Sequence, residues 1–260
     1  DYAERFGVTD NMPPVLSMAL GAGETTLLDM TTAYAMLVNG GKQIEPTLID
    51  RIQDRWGRTI YRHEKRVCEK CDAQEWTGQE PPQLPDLREQ VISPQTAYQI
   101  VSMLEGVVQR GTGRTVASVG VPLAGKTGTT NDERDAWFVG FSPNLAVGVF
   151  VGFDEPKPMG KGETGGGVAA PIFRDFMQAA IGDEPGVPFR IPPGVNLVRV
   201  NAKTGQIAQP GDDNVILEAF RDGTEPSAPE AEPYSAIGGE GVYSEGQPDV
   251  SLGAGTGGLY

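Results

Sequence analysis

Histidine and cysteine are nearly missing from this sequence: its 260 residues include one histidine and two cysteines. A tetrahedral zinc site takes four ligands, and His63, Cys68 and Cys71 supply three at most. The pair Cys68-Glu-Lys-Cys71 lies in a polar, charge-rich stretch, not at a helix start after a strand, where a thioredoxin-like redox pair belongs. A small structural disulfide, suited to an oxidising compartment such as the periplasm, is the favoured reading; a metal site and free thiols are the alternatives. No metal and no cofactor is expected. Long apolar runs are missing too. No stretch of about 18 apolar residues offers a membrane span, and no signal peptide opens the chain. The first residues are Asp-Tyr-Ala-Glu rather than Met, so the chain is expected to be an excerpt of a longer protein. Missing targeting segments then say nothing about location.

Bases are scarce. The net charge is -14, and from Gly211 to Tyr260 ten acids face a single base, Arg221. A chain this acidic is repelled by phosphate backbones, which argues against nucleic acid as a partner. Apolar residues make up 38%, while glycine reaches 35 and proline 21, many of them after Gly182. The uneven spread predicts a well-packed part over residues 1–182, a linker and β-hairpin extension over 183–220, and a disordered acidic Gly/Pro-rich tail over 221–260. A solvated tail is the favoured reading of the last part, a partner-binding tail the alternative.

Periodicity supplies the elements. Leu27, Met30, Tyr34, Leu37 and Val38 recur at helical spacing until Gly40-Gly41. Ser93-Pro94 opens a second helix, with Ala97, Val101, Leu104 and Val108 on one face and Gly111 at its end. A third begins near Pro171, with Ile172, Phe173, Phe176, Met177 and Ala180 on one side and Gly182 as the stop. Asp54-Arg55-Trp56-Gly57 reads as a hairpin turn between 48–52 and 59–61. The apolar runs 136–141 and 145–153 are split only by Ser142-Pro143-Asn144, which forces an antiparallel hairpin with both faces covered. A strand at 123–130 precedes them, and 195–200 and 206–208 read as one more hairpin. The fold class is therefore α+β, an antiparallel sheet flanked by helices.

Ala124-Gly125-Lys126-Thr127-Gly128-Thr129-Thr130 leads straight into the aromatic strand Asp135-Ala136-Trp137-Phe138-Val139-Gly140. Glycine inside a strand marks a close approach to the backbone. An edge offering free N–H groups beside a cation and hydroxyls suits a peptide-like ligand that ends in a carboxylate and adds to the sheet as a strand. A second Lys203-Thr204-Gly205 has turn context, with Asn201 before it, and reads as structural. Trp137, Phe138 and Phe141 read as core, and Asn131, Asp132 and Arg134 as loop-ordering groups.

The first of these stretches resembles the third motif of class A penicillin-binding proteins. Leu20–Gly41, Arg110-Gly111-Thr112-Gly113, Val151-Gly152-Phe153-Asp154 and Ala170-Pro171-Ile172-Phe173 are similar to further segments of that family, and the match runs from about Phe6 to Ile181. The family's other motifs are Ser-x-x-Lys and Ser-x-Asn. None of the nine serines has lysine three residues on, and Ser142-Pro143-Asn144 follows the Lys-Thr-Gly motif where the family order needs it before. The resemblance thus implies a partial penicillin-binding-protein/β-lactamase-like transpeptidase fold, with residues 1–182 the C-terminal part of the domain and the nucleophile-bearing part upstream of Asp1.

What the resemblance implies for function is a serine-type D-Ala-D-Ala transpeptidase that cross-links peptidoglycan stem peptides and is acylated by β-lactams, the segment alone being inactive. Lys126 would supply positive charge to the proton network around the Ser-x-Asn serine. Thr127 and Thr129 would offer hydroxyls to the ligand's carboxylate, Gly128 would line the substrate, and the Thr129 N–H would be an oxyanion donor. The implied parent carries a glycosyltransferase and an N-terminal anchor, and acts at the periplasmic face of the inner membrane. A β-lactamase-like hydrolase and a non-catalytic scaffold module of the same fold are the alternatives.

Overall fold

The structure, a computed structural model, describes residues 1–66, 68, 75, 78, 80, 84–182 and 185–227. The acidic tail from 228 onward, Cys71 and residues 183–184 of the expected linker lie outside the described residues. In chain order the helices are α1 (Tyr2–Arg5), α2 (Leu27–Val38), α3 (Pro94–Arg110) and α4 (Ala170–Ile181). The strands are β1 (Arg51–Gln53), β2 (Thr59–Arg62), β3 (Ala124–Thr129), β4 (Asp135–Phe141), β5 (Ala146–Gly152), β6 (Val195–Asn201) and β7 (Val215–Arg221). They form three antiparallel sheets: β1-β2, β3-β4-β5 and β6-β7. Residues 1–227 make one unit. Among the described residues no helix is long and apolar enough to cross a membrane.

Caps fix where the helices start. The Thr26 hydroxyl accepts from the Asp29 N–H at 3.0 Å, and the Ser93 hydroxyl from the Thr96 N–H at 3.2 Å, each satisfying a donor the first turn leaves orphaned. α3 buries the face its spacing foretells, Ala97, Val101, Leu104 and Val108, with Gly106 added. α2 is rotated relative to expectation: Thr32, Ala33 and Met36 are its buried residues, while Tyr34, Leu37 and Val38 pack at the margin. α4 buries Ala170, Phe173 and Met177 but leaves Ile172 and Phe176 exposed, because among the described residues the sheet covers only one narrow stripe of it.

β4 is the centre of the domain. Its alternate side chains enter two cores: Ala136 and Phe138 meet Phe173 and Met177 of α4, while Phe141 meets Val101 and Leu104 of α3. The rings of Phe138 and Phe173 lie 4.7 Å apart, and Phe141 meets Phe189 edge-on at 5.7 Å. β5 departs from the expected two-sided burial. It is an outer strand in this sheet, its residues are half-buried, and Phe150 is exposed. Trp137 also leaves the core, tilting against Phe150 at 4.9 Å on the sheet surface.

The last ribbon differs from its expected pairing. Residues 206–208 do turn back, with Val200 bridged to Ile207, but the long partner of β6 is β7, in register from Val195↔Arg221 to Asn201↔Val215. Gln99 of α3 ties the ribbon down by donating to the Ala219 carbonyl at 3.0 Å. The first acidic residues after β7 stay on the ribbon, since the Asn196 amide donates to Asp222 at 3.0 Å and Glu225 at 2.7 Å.

Candidate active site

β3 has one neighbour, β4, so its other side is an open edge among the described residues. Which backbone groups face that edge follows from register. Thr130 donates its N–H to Asp135 at 3.1 Å, making that pair a hydrogen-bonded one. Hydrogen-bonded and non-bonded pairs alternate along an antiparallel ladder. Gly128↔Trp137 and Lys126↔Val139 are then bonded, and Thr129↔Ala136 and Thr127↔Phe138 are not. The N–H and C=O of Thr127 and Thr129 therefore point outward, and Thr129 presents an amide donor at the edge.

Side chains join them there. Cross-strand pairing places Thr127 and Thr129 on the face of Phe138, and Lys126 on the opposite face. The Lys126 ammonium nevertheless curls over the edge, donating to the outward Thr127 carbonyl at 2.9 Å and lying 3.5 Å from the Thr127 hydroxyl. The Thr127 hydroxyl is 2.7 Å from that of Thr112, and the Thr129 hydroxyl accepts from the Gly165 N–H at 3.0 Å. One cation, two hydroxyls and an outward amide thus converge on one exposed ledge. A cavity of about 920 Å³ lies elsewhere, between the Glu4–Gly7 segment, α2 and the 61–66 stretch.

The glycines of β3 answer to packing as well as to ligand approach. A Cβ on Gly125 would lie 2.8 Å from the Phe138 ring and 2.9 Å from the Gly140 Cα, so this glycine is required by the core beneath. At Gly128 the nearest atom would be the Trp137 Cβ at 3.1 Å. Of the loop residues after β3, Asp132 and Arg134 pair with each other at 3.2 Å on the surface. The ordering group is Glu133, absent from the sequence reading: its carboxylate accepts from the Gly162 N–H at 3.0 Å while its carbonyl accepts from Met159.

The two look-alike motifs are turns. Ser142 is buried and its hydroxyl accepts from Asn144 and Leu145, closing the β4–β5 hairpin. At Lys203-Thr204-Gly205 the Asn201 side chain accepts from the Lys203 N–H at 2.9 Å, and Gly205 takes φ 71°. Cys68 is disulfide-bonded, in keeping with the favoured reading of the cysteines.

An edge strand carrying Lys-Thr-Gly-Thr on an antiparallel sheet between helices is the arrangement expected of the penicillin-recognising fold class. Residues 5–178 match the family model of the penicillin-binding protein transpeptidase domain, and the chain belongs to that family. It is 42% identical to Penicillin-binding protein 1A of Rickettsia conorii over 224 residues, which cover 85% of this chain and 28% of that protein. The crystal structure of Penicillin-Binding Protein 1A from Haemophilus influenzae superposes with a TM-score of 0.71 at 31% identity, covering 86% of this chain and 36% of that one. PonA1 from Mycobacterium tuberculosis in complex with penicillin V shares the fold, with a TM-score of 0.57 at 23% identity over 73% of this chain and 51% of that one. The chain thus spans less than a third of the length of the relative from Rickettsia.

Proposed function

We propose that this chain is the Lys-Thr-Gly half of a serine DD-transpeptidase that cross-links peptidoglycan stem peptides within a bifunctional synthase. The observation that carries the reading is the β3 edge, where the Lys126 ammonium, the Thr127 and Thr129 hydroxyls and an outward amide meet. A stem peptide ending in D-Ala-D-Ala lies along this edge as an added strand, its terminal carboxylate on the Thr127 and Thr129 hydroxyls and its backbone over Gly128. A serine supplied from outside this segment attacks the penultimate carbonyl, and the Thr129 N–H donates to the oxygen as negative charge develops. One such donor matters by roughly 10²–10³ in rate. The terminal D-alanine leaves, and the acyl group passes to an amine of a neighbouring stem. Lys126 keeps the site positive, favouring the anionic substrate terminus and proton transfer at the serine of the Ser-x-Asn motif. β-Lactams take the same place. On this reading the longer parent protein adds a glycosyltransferase and a membrane anchor, and works on the periplasmic face of the inner membrane.

Labelled penicillin tests this directly. The full-length protein should form an adduct that survives denaturation and lasts for many minutes, while the 260-residue chain alone should form none. Rapid release of label from the full-length protein would make it a hydrolase of the same fold. No adduct at all would make it a scaffold.

A further inference from the structure

We infer that Thr112, in the loop after α3, is a positioning residue that sets the hydroxyl of Thr127 as a donor toward the ligand's carboxylate; this rests on the transpeptidase reading. A hydroxyl carries one proton and two lone pairs. At Thr129 one lone pair is taken by the Gly165 N–H, which leaves the proton for a ligand. At Thr127 the same outcome needs a second protein donor. An ammonium can only donate, so Lys126 at 3.5 Å takes one lone pair weakly, and Thr112 at 2.7 Å takes the other when it gives its proton. With an anion at the edge, the proton order runs Thr112 to Thr127 to carboxylate, each bond polarising the next. With a neutral group there, the advantage of that order shrinks.

The loop is built to hold Thr112 still. The Val107 carbonyl accepts from both the Gly111 and Gly113 N–H groups, at 3.0 and 3.1 Å, which pins the residue from either side. A Cβ on Gly111 would come within 2.9 Å of the Val107 Cα, and one on Gly113 within 3.3 Å of the Phe138 ring, so the loop sits flush on the helix end and the core. From above, the Gly165–Ala169 turn closes in: a Cβ on Gly166 would lie 3.1 Å from the Thr112 carbonyl. The turn that fixes Thr129 and the loop that fixes Thr127 are thus packed on each other.

The test compares acylation of the full-length protein by a labelled penicillin and by its methyl ester, which lacks the carboxylate. Thr112→Val should cut the preference for the acid roughly tenfold, about one hydrogen bond's worth, through weaker binding and not a slower acylation step. Thr112→Ser should restore it. In a Thr127→Val background, Thr112→Val should change nothing further, since it acts through that hydroxyl. An unchanged acid-to-ester ratio in Thr112→Val, no rescue by serine, or additive losses in the double variant would overturn the proposal. Failure of the unaltered protein to react with either compound would instead overturn the transpeptidase reading beneath it.

Discussion

A lysine ammonium has three protons to give, and at Lys126 one is committed to the Thr127 carbonyl on the outer edge of its own strand. The side chain is therefore bent across the ledge, where a carboxylate would meet it, and is not extended into water. Motif letters singled out this lysine and both threonines because the proposed chemistry needs them within four consecutive residues. The Arg110–Gly113 segment stood out by resemblance, but the contacts of Thr112 with Thr127 and of Gly165 with Thr129 were not legible, since a hydroxyl or amide brought in from a distant loop leaves no local spacing. The glycine before the lysine was legible as a close approach but not as to what approaches: Phe138 and the Gly140 backbone press on it from the core. Gly125→Ala should accordingly destabilise the domain by about 1–3 kcal/mol, because the crowding atoms include backbone that cannot turn aside. A urea titration of the chain checks this, and a shift below 0.5 kcal/mol would show that the sheet relaxes freely.

Elements were read well where a start signal and a covered face agree. α3 has Ser93-Pro94 at its head and a buried stripe over most of its length, and both appear as expected. α4 shows the limit of periodicity, which marks apolar residues without saying what covers them; Ile172 and Phe176 continue the stripe yet face outward. β7 was missed because the Asn201–Gly205 turn suggests an immediate return, whereas only 206–208 follow it before the chain leaves for the other side of β6. A further element-scale link is ionic. Asp86 accepts from Lys42 at 2.6 Å and Arg88 at 2.8 Å, joining the end of the α2 turn to the segment that leads into α3. The hydrogen bond from Arg88, and then that from Lys42, hold the Asp86 carboxyl far below its ordinary 3.8. Its folded pKa is depressed, so its stabilisation is complete above the unfolded value and is lost only as pH falls below about 3.8. Protection of the Val91 and Ile92 amides, which donate to the Gly41 carbonyl, should be equal at pH 7 and pH 5 and decline below pH 4. Asp86→Asn should lower that protection at pH 7 and flatten its acid dependence. Loss of protection between pH 7 and 5 would point to another group.

At the scale of the whole molecule, the proposal makes this chain one wall of a site. The sheet, the two cores and the capped helices hold β3 with its edge outward, within the residues 5–178 that match the transpeptidase family model. The net charge of -14 has little bearing on it, since much of the excess lies after Gly211. Two copies of Lys-Thr-Gly stand in this chain, one on the open edge and one in a turn of the β6 ribbon, and they offer an internal control. The most direct measurement is the rate at which labelled penicillin acylates the full-length protein with Lys126→Ala and, separately, with Lys203→Ala. The account predicts a loss of at least about tenfold for the first, a buried or ligand-facing charge contact being worth more than ~1.4 kcal/mol, and a rate within twofold of the unaltered protein for the second. Equal rates in the two variants would contradict it.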